Sequence, residues 1–291
     1  MNVSIKKSLW LMNSEDPWVR RLRAILHNPL AIIGLITIGL WLLIALFANV
    51  IAPYDPLEQN LPNRLQPPSS DHWFGTDELG RDVLSRLIYG TRISLLIGLL
   101  IIIIATIVGS ILGLIAGFYG SIADQIIMRL VDLTLAFPAI VLAMAITAFL
   151  GPGLFNAVLA MILVEWPSFT RQMRGQVLSI KNFEYITAAV VIGASRSRIL
   201  FKHILNNAYM PIITRASLNS GTIILFIAAL SFIGLGVVPP TPEWGAMIST
   251  GRLKFYNWWL TTFPGLAMLT VVLAFNFIGD GIRDALDPHM T

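Results

Sequence analysis

Long apolar runs separated by shorter polar segments dominate this chain. A membrane-spanning helix needs roughly 20 mostly apolar residues. Six stretches approach or exceed that length: Leu30–Ile51, Ile93–Phe118, Ile126–Leu150, Leu154–Arg171, Ala208–Leu235 and Phe263–Ile282. Pro29 and Pro53 bound the first. Pro138 lies in the third, Pro167 in the short fourth and Pro264 in the sixth. Each is expected to kink its helix, because proline lacks a backbone donor and clashes with the preceding turn. The pattern predicts an all-α polytopic membrane protein with six transmembrane helices.

One segment breaks the pattern. Gln172 to Asn207 reads QMRGQVLSIKNFEYITAAVVIGASRSRILFKHILNN and carries Arg174, Lys181, Arg196, Arg198 and Lys202 against a single acid, Glu184. So long a charged interruption cannot cross a bilayer, so an insertion at one membrane face is expected. Within it, YITAAVVIG (Tyr185–Gly193) and RILFKHIL read as two short helices joined at a glycine, where the backbone needs freedom. Small residues at Ala188 and Ala189 leave a surface that another protein can approach closely. The same periodicity also fits an ordinary interfacial hairpin.

Lysine and arginine set the orientation. With the N-terminus inside, the outer segments hold only Arg64, Arg81, Arg86, Arg92, Arg252 and Lys254 of the 20 basic residues. The expected organisation is a cytoplasmic tail (1–29) and a transmembrane domain (30–291), with both termini cytoplasmic. Its outer loops are 52–92 and 236–262, and its inner loop is 172–207. The tail carries Lys6, Lys7, Arg20, Arg21 and Arg23, and the stretch KKSLWLM suits a helix lying on the membrane surface. Tryptophans in the second outer loop sit where an aromatic belt is expected.

Composition agrees. The chain is 56% hydrophobic and 12% charged, with mean hydropathy +0.74, whereas a soluble domain carries about 25% charged residues. Lipid is therefore the expected main surface partner. The net charge of +4 reports topology and implies no nucleic-acid partner. The absence of cysteine removes disulfides, thiolate ligands and cysteine nucleophiles. His27, His72, His203 and His289 share no metal-ligand spacing. No G-x-x-x-x-G-K-[ST] occurs, so this chain has no usual loop for ATP phosphates. No catalytic residue, metal or bound cofactor is expected.

Two further groups of ionisable residues stand out. GTDELGRD packs Asp77, Glu78, Arg81 and Asp82 together. Asp77 and Arg81 have the i, i+4 spacing of a helix ion pair, and Thr76-Asp77 suits a helix N-cap. A polar network fixing an interfacial helix explains them, whereas acid–base chemistry would need a closed pocket and a reactive substrate. Asp132 and Glu165 fall inside expected spans, where an ionisable group is costly. They either face an internal cavity and meet a substrate amine, or pair near helix ends with Arg129 or Arg171.

These segments carry a family resemblance. The small-residue triplet Thr187-Ala188-Ala189, then Gly193, then Ile204-Leu205-Asn206 resembles the ATPase-coupling (EAA) loop of ABC importer permeases. Thr187 stands where glutamate is usual and Asn206 where proline is usual, which bears on the loop's internal pairing. HWFGTDELGRDVLSRLIYGTRISL (His72–Leu95) is similar to the signature before the second helix in the C-type subunits of peptide and nickel importers. The match includes Gly75, Thr76, Asp77, Gly80, Arg81, Asp82, Ser85 and Arg86. SFIGLGVVPPTPEWGAMI and FNFIGDGIRDALDP extend it over nearly the whole chain from about residue 29.

The resemblance implies a type I importer permease fold in the bacterial inner membrane. It implies a second, homologous permease as heterodimer partner, two cytoplasmic ATPases holding ATP and Mg, and an extracytoplasmic substrate-binding protein. Tyr185, Thr187, Ala188, Ala189, Gly193, Ala194 and Ser195 would form the docking surface. The implied cargo is a di- or oligopeptide, with nickel or a metal chelate as the alternative within the family. A membrane enzyme or scaffold is a remote alternative. An enzyme would need intramembrane nucleophiles, bases or metal ligands, and no such cluster is evident; a scaffold would not need the docking loop.

Overall fold

The computed structural model describes residues 25–252 and 254–286. The surface helix expected near KKSLWLM lies outside the described residues. Helix α1 (Pro29–Leu46) continues, after a break at Phe47, into the single turn α2 (Ala48–Ile51). Asn28 caps α1, its side chain accepting from the amides of Leu30 and Ala31, and its Nδ2 donates to Asp284 at 3.0 Å. An irregular segment with one 3₁₀ turn (Leu61–Asn63) leads to α3 (Val83–Tyr119). Next come α4 (Ser121–Leu135) and α5 (Ala139–Leu150), then α6 (Leu154–Lys181). The loop helix α7 spans Glu184–Val191. The short α8 (Arg196–Arg198) passes through a π-helical turn (Ile199–Ile204) into α9 (Leu205–Phe232). Helices α10 (Trp244–Gly251) and α11 (Trp259–Leu286) complete the described chain.

The sequence leads to six expected spans, and hydropathy and length support fewer. Four helical stretches are long and apolar enough on their own: α1, α3, Arg196–Phe232 and Trp259–Ala285. A fifth results if α4 and α5, bent by 90°, form one broken span. Pro138 therefore does more than kink the third element, since α4 ends before it and α5 begins after it. Pro167 and Pro264, like Pro211, lie inside helices that continue through them. Helix α6 is long but polar in its second half, where it carries Arg171, Gln172, Arg174 and Gln176. It is held by protein rather than by lipid.

The contact that holds it is close. Gly109, Gly113 and Gly117 of α3 face α6, and a Cβ built on Gly113 would stand 2.5 Å from the Thr170 carbonyl and 2.7 Å from the Met173 Cβ. Small residues at this spacing let two helix backbones approach, which replaces the missing hydrophobic drive between helices in lipid. Phe169, Met173 and Val177 of α6 are consequently buried. Arg174 of α6 adds a two-pronged bond to Asp124 of α4, at 2.5 and 2.7 Å. This inner core includes α9 and the loop, while an outer one gathers Leu87, Leu95, Trp244, Trp259 and Phe275. Most of the apolar side chains of α1 stay exposed, as a lipid-facing helix requires.

Candidate functional site

The polar insertion is shorter than its charge pattern suggests, because α6 runs on to Lys181 and absorbs its first third. A tight turn, with Phe183 N donating to Ile180 O at 3.0 Å, reverses the chain into α7. After α7 the amides of Gly193 and Ala194 donate to Val190 O and Ala189 O, both at 3.0 Å. This pair of bonds is the Schellman arrangement, and it puts Gly193 in the left-handed region at φ +82°. Ser195 then caps the next helix, its Oγ accepting from Arg198 N. The two helices joined at a glycine are present. The second is not an isolated short helix but the leading end of a continuous stretch to Phe232.

At about 100° per residue, α7 presents two faces. Ile186 and Ala189 point into the bundle, Ala189 being only 7% exposed. Glu184, Ala188 and Val191 lie on the opposite side, all exposed. Tyr185 is exposed on a flank, where its hydroxyl accepts from Asn207 Nδ2 of α9 at 3.2 Å. Thr187 is exposed, Ala194 half-buried, and Gly193 and Ser195 exposed. Of the residues expected on the docking surface, Ala189 therefore faces the chain's own core. Sequence reasoning missed Val190, Val191 and Ile192. Val191 is 79% and Ile192 83% exposed, on a segment too polar to sit in lipid. The signal was three consecutive aliphatics in a basic stretch. A contiguous exposed apolar ridge of this kind marks an interaction surface.

At the other face, residues 75–82 form a turn rather than a helix. Gly75 and Gly80 both have φ +74°, and Thr76 bridges to Asp82. The helix cap is Asp82, whose Oδ2 accepts from Ser85 N at 2.7 Å, not Thr76-Asp77. Asp77 and Arg81 do pair, at 2.7 Å, but across the turn and buried. Arg86 adds its Nε at 3.4 Å from the same Oδ2, and Asp77 Oδ1 accepts from the amides of Leu79 and Arg81. His72 Nδ1 lies 3.0 Å from Asp82 Oδ1. Every carboxylate oxygen of Asp77 and Asp82 has a nitrogen or hydroxyl partner from this chain, so the turn is held together by its own polar network.

A further buried acid emerges here. Glu243 caps α10, its two oxygens accepting from the amides of Gly245 and Ala246 at 2.9 and 2.8 Å, with Ser94 Oγ at 3.2 Å. Burial pushes its carboxyl above the ordinary range, against those hydrogen bonds. Asp132 on α4 pairs with Arg171 of α6 at 2.6 Å, both exposed. Glu165 is buried in α6, opposite the charge of Arg215 on α9. No group of three or more metal-ligating side chains occurs among the described residues.

Comparison with known proteins places this arrangement. Residues 109–291 match the family described as binding-protein-dependent transport system inner membrane component. Residues 16–68 match the N-terminal TM domain of oligopeptide transport permease C. The dipeptide transport system permease protein DppC of Alkalihalophilus pseudofirmus is 49% identical over 94% of this chain and 91% of its own length. DppC of Escherichia coli K12 is 50% identical over 91% and 90%. The oligopeptide transport system permease protein OppC of Bacillus subtilis is 42% identical over 98% and 92%. Among solved structures, an inward-facing form of the MetNI methionine ABC transporter superposes with TM-score 0.58 at 19% identity, covering 70% of this chain and 98% of that one. That likeness concerns the fold.

The molecule is thus a transport subunit, a multi-pass permease of the bacterial inner membrane and not an enzyme. It belongs to the binding-protein-dependent inner-membrane component family, and its relatives are C-type permease subunits named for dipeptide and oligopeptide transport.

Proposed function

We propose that this chain forms half of the pathway through which an ATP-driven importer moves short peptides into the cell, and that α7 is where the ATPase acts on it. The observation that carries the coupling part is the exposed apolar ridge of α7 and its C-terminal turn. It stands in a polar, basic segment on the side rich in lysine and arginine. The turn at Phe183, the Schellman bonds and the Tyr185–Asn207 tie couple that ridge rigidly to α6 and α9. A force applied to it moves those helices rather than bending the loop. ATP and Mg sit on two separate cytoplasmic ATPase subunits, a second homologous permease supplies the other half of the path, and an external binding protein delivers the cargo. The peptide class follows from relatives named for dipeptide and oligopeptide transport, at 42–50% identity over nearly the full chain.

The mechanism is a two-state switch biased by nucleotide. Closure of the ATPase pair draws the two loops together, and the access of the central cavity alternates as the helices rotate. An Ala188→Arg or Val191→Asp substitution tests it in vesicles holding the whole transporter. Dipeptide uptake should fall about 5–150-fold, as expected when a coupling of 1–3 kcal/mol is lost, while the amount of inserted chain is unchanged. Normal uptake and normal stimulation of ATP hydrolysis in both variants would remove α7 from the mechanism. Uptake of nickel but not of dipeptides by the wild type would overturn the cargo assignment.

A further inference from the structure

Beside α7 lies a cleft of about 610 Å³, between the inner end of α3 and the flank of the loop. Its walls are apolar, with Phe118, Ile186, Val190 and Ile199. Two cations, Lys181 and Arg196, line it, and no acidic side chain does. We propose that this cleft binds an anionic phospholipid of the inner leaflet, with the phosphate held by Lys181 and Arg196 and an acyl chain against the apolar walls.

Three observations converge. The first is depth. The apolar run of α3 ends at Phe118 and the exposed Tyr119, and Gly120 turns the chain. Aromatic residues closing a span mark the headgroup level, so one wall of the cleft stands where lipid phosphates lie. The second is charge. Lys181 Nζ donates to Phe118 O at 3.0 Å and stands 5.9 Å from the centre of the Phe118 ring. This holds the ammonium at the cleft with further N–H groups to offer. Arg196 is exposed and joins no ion pair among the described residues. The third is shape. A volume in the range of ligand sites, with a lining more apolar than polar and two cations in it, fits an amphiphile better than a free anion. An acidic segment of the ATPase is the competing occupant. Val190, Thr187 and Ala194 share the cleft, whereas Ala188, Val191 and Ile192 are not among its lining residues and leave an exposed face for that partner. A lipid wedged here would set the angle between the loop and α3, and so the position from which the ATPase is engaged. The inner-leaflet assignment rests on the cytoplasmic placement of the loop.

The test is native mass spectrometry of the full chain in detergent, titrated with phosphatidylglycerol or phosphatidylcholine. Wild type should retain one phosphatidylglycerol that the Lys181→Gln/Arg196→Gln double variant does not. The preference over phosphatidylcholine should drop on the order of 30-fold, from about 1 kcal/mol per basic residue at an anionic surface. The charge-preserving Lys181→Arg/Arg196→Lys variant should keep the lipid, which separates charge loss from misfolding. Equal retention by wild type and the neutral variant overturns the proposal. So does displacement by inorganic phosphate alone, which would mean a simple anion site. A neutral variant that keeps the lipid but no longer binds the ATPase would reassign the two cations to that partner. Because this assay involves neither ATP nor transport, it can fail while the coupling role of α7 stands, and the reverse.

Discussion

Asp77 illustrates how far single residues could be read. Its pairing with Arg81 was legible from spacing, but the element was not. Positive φ at Gly75 and Gly80 turns the backbone where a helix was expected, because i, i+4 partners also meet across a tight turn. Asp77 is the shared anion for two buried guanidiniums and two amides. Removing one member of a buried ionic group leaves uncompensated charge and costs about 3–5 kcal/mol. Asp77→Ala should therefore sharply lower the melting temperature of the detergent-purified chain, while Glu78→Ala, on the exposed part of the turn, should change it little. Equal, small effects would mean that the network contributes no stability. Glu243 was less legible still. Nothing in its sequence context marks it, and only the fold reveals that its carboxylate caps α10 from inside the outer core.

Among the elements, the apolar runs located every long helix but misplaced several ends. Helix α3 begins at Val83, ahead of the expected Ile93, and α6 passes Arg171 to reach Lys181. Hydropathy marks where lipid ends, whereas these helices continue under protein contacts that tolerate polar residues. The spacing Gly109, Gly113, Gly117 was present in the sequence, and its meaning appears once α6 is seen against it. An added methyl at Gly113 must push the Thr170 backbone away. At Gly39 of α1, nothing lies within 4 Å of the same added atom. Gly113→Ala should destabilise the purified chain by about 1–3 kcal/mol, the usual penalty of overpacking, and Gly39→Ala should be neutral or slightly stabilising. Thermal unfolding in detergent measures both. A neutral Gly113→Ala would show that the α3–α6 approach is looser than its geometry.

For the whole molecule, the arrangement that matters is the continuity between its two faces. The stretch Arg196–Phe232 is a single run of 37 residues, about 55 Å long at 1.5 Å per residue. It starts at the loop and ends under α10, where Ser249 Oγ donates to Phe232 O at 2.7 Å. Helix α3 makes the same journey from the Asp82 cap to the cleft beside α7. A displacement of α7, tied to α9 through Tyr185 and Asn207, thus has a stiff path to the outer side. The π-helical turn Ile199–Ile204 is the irregular point on it, the kind of local defect often found at functional sites. Inserting Gly-Gly between Asn207 and Ala208 should break the path without touching the exposed face of α7, because glycine pairs lose helical stiffness. The chain should still insert and still bind the ATPase, while uptake per ATP hydrolysed falls about 5–150-fold, the range of a lost coupling of 1–3 kcal/mol. Uptake that survives the insertion at its original ratio would show that α9 does not carry the stroke, and would leave α6, which enters the loop from its other end, to transmit it.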